Sequence, residues 1–129
     1  CWRWPSCSSP GGLTRRTACA HMAVMSDTLT RLEAIIHARR AADPTTSYVA
    51  KLAARGRGKI AQKLGEEATE TVIAALTEDK TALTKEAADL VFHLLMLLAD
   101  CDVSIADVLA ELEARDGVSG LVEKAARTE

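Results

Sequence analysis

Aromatic side chains are nearly absent. They make up 3% of the 129 residues, as two Trp, one Tyr and one Phe, so the core must be assembled from Leu, Ala, Val and Ile. Cysteine is scarce where it would matter. Cys1, Cys7 and Cys19 crowd into the first 24 residues and Cys101 stands alone in the body, which excludes a disulfide framework or a zinc spacing and suits a reducing cytosol. Long apolar runs are missing too. The longest, Leu90 to Ala99, is interrupted by His93 and is too short to span a bilayer. Repeats, low-complexity tracts, a glycine-rich phosphate loop and the alternation of a β-strand are all lacking. Residues 1–24 carry Arg3, Arg15 and Arg16 but no acid, leaving 13 basic and 18 acidic residues in the remainder. That balance disfavours general nucleic-acid binding, whereas clustered acids would invite a divalent cation.

The length suits one domain with a modest core, and an elongated helical chain would gain by sharing that core with a partner. Residues 1–24 show no helical or strand period and no apolar signal-peptide core. A basic, serine-containing, acid-free leader fits a transit peptide or translated sequence upstream of a natural start at Met22 or Met25. The second is the expectation, with the stretch poorly ordered and the folded domain spanning 25–129.

From Ser26, a plausible N-cap, Leu29, Leu32, Ile35 and Ile36 recur at helical spacing until Asp43-Pro44. Ser47 is expected to cap a short helix that stops near Gly56. A longer helix is expected from about Gly58 to Thr77, with Ile60, Leu64, Ala68, Val72 and Leu76 as its buried stripe. The polar Glu78-Asp79-Lys80 link leads to a helix over roughly 82–100, apolar enough to be buried on most sides. Ser104 with Asp107 reads as a capping box for the next helix, stopped by Gly117, and Ser119 as the cap of a last short one. Short links between amphipathic helices imply an all-α fold, an antiparallel helical bundle.

Two acidic clusters carry the chemistry. Glu67 and Glu70 are three apart, as are Glu86 and Asp89, and residues three apart share a helix face. If the two helices pack antiparallel, four carboxylates converge. Such a group is tolerable in a low-dielectric groove only around a cation, and oxygen-only ligands select magnesium or manganese. Glu66, four before Glu70, is placed to bind metal or to take a proton from water. Against this stands the solvated helix face, the commoner fate of any one Glu-x-x-Glu. The second cluster counters it, because Glu86 and Asp89 open a strongly apolar helix where unpaired charge is costly.

Lys51, Arg55, Arg57, Lys59 and Lys63 lie close before the first cluster, and Lys63 is three before Glu66. Cations beside a metal cradle suit a polyphosphate, although for Arg55 and Arg57 a solvated surface is the plainer reading. Ser47 and Tyr48 fit either a helix start or a ligand contact. His93, four after Asp89, reads from spacing as a core residue or a prop behind a ligand, with metal or phosphate contact as the alternative.

The runs Ser47-Tyr48-Val49-Ala50-Lys51-Leu52, Lys63-Leu64-Gly65-Glu66-Glu67-Ala68-Thr69-Glu70 and Glu86-Ala87-Ala88-Asp89-Leu90 with His93-Leu94-Leu95, and the closing Ser119-Gly120-Leu121, resemble the phosphoribosyl-ATP pyrophosphatase family. That family lies within the all-α nucleotide pyrophosphohydrolase (MazG-like) superfamily. The resemblance covers roughly 29–127. It implies hydrolysis of phosphoribosyl-ATP to phosphoribosyl-AMP and pyrophosphate, the second step of histidine biosynthesis, in the cytoplasm, with magnesium and in a homodimer or larger homo-oligomer. Carried over, Glu67, Glu70, Glu86 and Asp89 hold the metal and Glu66 acts on the attacking water. Lys51 and Lys63 contact substrate, joined less firmly by His93. A separate cyclohydrolase would act downstream. Two other functions fit the same residues: a house-cleaning hydrolase of noncanonical nucleoside triphosphates, and a helical interaction module without catalysis. A di-iron bundle fits poorly, because neither cluster supplies a Glu-x-x-His pair.

Overall fold

The computed structural model describes residues 15–115, with side chains from 27 onward. Five helices follow one another: α1 (Arg15–Arg40), α2 (Tyr48–Ala54), α3 (Arg57–Thr77), α4 (Lys80–Asp100) and α5 (Ile105–Arg115). No strand occurs among the described residues, so the all-α expectation holds. The expected helix after Ser119 lies outside the described residues, as do residues 1–14 of the expected unordered leader.

Several boundaries follow from local chemistry. The Ser47 hydroxyl accepts from Ala50 N–H at 3.3 Å and opens α2. Asp79 accepts from Ala82 N–H at 2.8 Å and opens α4, so the polar link is itself a cap. Ser104 accepts from Asp107 N–H at 3.1 Å while its hydroxyl donates to the Asp107 carboxylate at 2.7 Å. Glu33 of α1 reaches across to accept from Ile105 N–H at 2.7 Å, satisfying a helix-end donor that α5 cannot. α1 starts at Arg15, well before the expected cap at Ser26. The segment Thr17 to Met25 contains Ala, Met and no Gly or Pro, so nothing local breaks a helix there.

α3 and α4 form an antiparallel hairpin. Glu78 and Asp79 join one pair of ends, and Arg57 of α3 meets Asp100 of α4 at the other. Asp100 is clamped there: Arg57 Nε donates at 2.7 Å and Arg40 of α1 at 3.1 Å. Arg57 also donates to the Asp100 carbonyl at 2.9 Å, and Arg40 to that of Ala99, so both cations serve the negative end of the α4 dipole. The core gathers at this end, from Ile36, Val49, Leu52, Ile60, Leu95, Met96, Ala99 and Ile105.

The expected stripe on α3 is only half realised. Ile60 is buried, but Val72 is 58% exposed and Leu76 79%. On α4, Val91 and Leu94 are also open to solvent, so that helix is not buried on most sides. The reason is geometric: α1, α2 and α5 cover the Asp100 end of the hairpin, and beyond it, among the described residues, each long helix has mainly the other as neighbour.

Candidate functional site

The hairpin brings the two acidic clusters together. Glu67 and Glu70 of α3 and Glu86 of α4 each offer a carboxylate oxygen, and these oxygens lie within 4.8 Å of one another. Glu67 is buried, Glu86 half-buried and Glu70 exposed. The Glu86 carboxyl is pushed up from the ordinary carboxylate range, first by burial and then by the charges of Glu70, Asp89, Glu67 and Glu78. The Asp89 carboxylate stays outside the converging trio.

The repulsion within the trio has a measurable consequence. A proton held more tightly in the folded chain than in the unfolded one stabilises the fold below the ordinary carboxylate pKa. That contribution is lost as pH rises through the raised value. With a chelator present, Glu86→Gln should flatten the fall of Tm over that range and raise Tm at neutral pH. Identical melting profiles for native protein and variant would show that these acids do not repel.

Lys63 stands at the rim of the trio. Its ammonium lies 2.9 Å from Glu67 Oε1 and 3.0 Å from Glu66 Oε2, and both contacts hold it firmly protonated. Glu66 is tied outward. Lys63 and Gln62, the latter donating at 2.8 Å, lower its pKa below the usual carboxylate value. A carboxylate so held is ionised but a weak proton acceptor, better suited to orienting a water than to stripping it.

His93 is buried, and both ring nitrogens have partners. Nδ1–H donates to the Asp89 carbonyl at 2.8 Å, and Nε2 shares a hydrogen bond of 2.9 Å with the Tyr48 hydroxyl. Nδ1 also lies 3.8 Å from Glu67 Oε1. The structure thus places His93 behind Glu67, not on an open surface, while Tyr48 takes the outward position. Lys51 and Lys63 line a cavity of about 310 Å³ together with Tyr48, Leu52, Arg55 and Lys59.

Sequence spacing missed Gln62 as the partner of Glu66, and the Asp100 clamp entirely. No local pattern announces a contact between residues 43 or 60 positions apart. For the cavity a signal did exist. Gly56 adopts φ +83°, a left-handed turn natural to glycine. It ends α2 and folds Lys51 and Arg55 back toward Lys59 and Lys63.

An all-α bundle with facing carboxylates that could hold a metal ion, beside a cationic cavity, has the architecture of a helical enzyme acting on a phosphate-bearing substrate. The particular family follows from comparison with known proteins. The family model described as phosphoribosyl-ATP pyrophosphohydrolase matches residues 29–116, and the chain belongs to that family. It is 66% identical over 103 residues to the phosphoribosyl-ATP pyrophosphatase of Rhizorhabdus wittichii, covering 80% of this chain and 97% of the relative. The protein of the same description from Novosphingobium aromaticivorans is 62% identical over 100 residues, covering 78% of this chain and 94% of that one. The one from Erythrobacter litoralis is 62% identical over 101 residues, covering 78% and 97%.

Proposed function

We propose that this chain hydrolyses phosphoribosyl-ATP to phosphoribosyl-AMP and pyrophosphate, the second step of histidine biosynthesis, breaking the phosphoric anhydride bond between the α and β phosphates. The observation that carries this reading is the trio Glu67, Glu70 and Glu86 within 4.8 Å beside Lys63, in a chain of this family. Three oxygen donors so close fit a hard divalent cation, magnesium before manganese. Glu67, Glu70 and Glu86 would hold it, with Asp89 completing the set. When bound, that cation neutralises phosphate charge and polarises a phosphoryl oxygen.

The chain's own residues do the remainder. Glu66 orients the attacking water. Lys63, pinned between Glu66 and Glu67, meets the phosphate charge at the rim of the acids, and Lys51 contacts the substrate further along the cavity. His93 supports Glu67 and fixes the Tyr48 hydroxyl. Fixed charges aimed at the reacting phosphates need no reorganisation during the reaction.

The working form in this reading is a homodimer in which the exposed apolar faces of α3 and α4 cover one another. No helix among the described residues is long and apolar enough to cross a membrane, and the reaction is assigned to the cytoplasm, where a separate cyclohydrolase would use the phosphoribosyl-AMP. The test is a substrate panel with magnesium. The kcat/KM for phosphoribosyl-ATP should exceed that for noncanonical nucleoside triphosphates by about a hundredfold or more, the discrimination that several lost polar contacts produce. Comparable values across the panel would instead indicate a house-cleaning enzyme.

A further inference from the structure

The cavity between α2 and α3 contains more positive charge than the acids among the described residues neutralise. Lys51, Arg55, Lys59 and Lys63 all line it. Of these only Lys63 lies within ion-pair distance of a carboxylate among the described residues. Lys59 donates to the neutral Gln62 at 3.1 Å. The side chains of Lys51 and Arg55 have no ion-pair partner among the described residues. α3 also begins here with no acid in its first turn, so the positive end of its dipole adds to the field. Cations gathered in a concave site in excess of their counter-charges are arranged for an anionic ligand.

We propose that this cavity receives the diphosphate end of the substrate and retains the pyrophosphate product, with Arg55 and Lys59 as its binding residues beyond Lys51 and Lys63. The proposal rests on the function above and adds which part of the substrate lies where. Lys63 belongs both to the cavity and to the rim of the carboxylate trio, so the cavity starts where the scissile bond must lie. Lys59 is one helical turn from Lys63, and Arg55 faces them from beyond the Gly56 turn. A diphosphate is compact, its two phosphorus atoms sharing one bridging oxygen. Of the two phosphates outside that diphosphate, the α phosphate stays at the scissile bond beside the acids, and the monoester on the phosphoribosyl arm is separated from that bond by two sugars and a purine and belongs farther away. The high charge of pyrophosphate also matches several cations better than a monoester does.

The experiment compares both products as ligands of the native protein and of the double variant Arg55→Gln/Lys59→Gln, in magnesium, by calorimetry and by inhibition of turnover. Pyrophosphate should bind the double variant about tenfold or more weakly, the effect of removing two charge-assisted contacts at an open site. Phosphoribosyl-AMP should keep its affinity to within about twofold, since tenfold would already mark a lost contact. Unchanged pyrophosphate affinity, or a loss confined to phosphoribosyl-AMP, overturns the assignment. Circular dichroism checks folding. If the double variant does not fold, Lys59→Gln alone is read the same way. A native protein that does not hydrolyse phosphoribosyl-ATP overturns the underlying function and the assignment with it. One that does, yet shows equal pyrophosphate affinity in the variant, overturns the cavity assignment alone.

Discussion

Glu67→Gln should lower pyrophosphate release by about three orders of magnitude or more, the scale on which metal-assisted chemistry depends on its ligands. Glu67 is the acid on which the site converges. It is 6% exposed and contributes to the carboxylate trio. Its Oε1 also pairs with Lys63 at 2.9 Å and lies 3.8 Å from His93 Nδ1. Gln preserves the shape and the packing, so α3 and the hairpin should form as before. It removes one negative charge, weakening the hold on a cation and leaving Lys63 with Glu66 alone. Stability should change little. The lost ion pair is offset by relief of the repulsion that raises the Glu86 pKa. Turnover with phosphoribosyl-ATP, alongside circular dichroism and thermal melting, gives the result. A variant retaining more than about a tenth of the native rate would remove Glu67 from the machinery, since tenfold amounts to only about 1.4 kcal/mol.

Converting Val72 and Leu76 together to Glu should dissociate the proposed homodimer and leave a monomer. Both are four apart on one face of α3 and stand 58% and 79% exposed, with Ile73 beside them at 49%. Leucine exposed to this degree is ordinary when isolated. A continuous apolar helix face is not, and a covering surface is the usual cause. In a two-fold interface each substitution appears twice, so four carboxylates would be driven into apolar surroundings without partners. Unpaired buried charge costs several kcal/mol per group, more than a modest interface can offset. The buried core at Ile60, Leu95 and Met96 lies at the other end of the hairpin, so the variant should remain helical as a monomer. Sedimentation equilibrium reads the outcome. If native and variant proteins show the same mass, α3 does not make the contact.

Much of this protein is legible along the chain because helices are local. Hydrogen bonds four residues long, caps such as Ser47 and Ser104, and breakers such as Pro44 and Gly56 act within one or two turns. The same locality makes the Glu67–Glu70 and Glu86–Asp89 pairs readable as single faces. What spacing does not contain is the sliding and rotation of α3 against α4. Those depend on side-chain packing around Ile60, Leu95 and Ala99 and on the Asp100 clamp, all formed between residues far apart in sequence. Tertiary structure alone therefore decided that Glu86, and not Asp89, enters the closest group of acids, and that Glu66 turns toward Lys63 and Gln62. Packing likewise placed His93 behind Glu67 and left Val72 and Leu76 uncovered. A periodic apolar stripe states which face a helix would bury, while the number and placement of neighbouring helices determine how much of that face is covered.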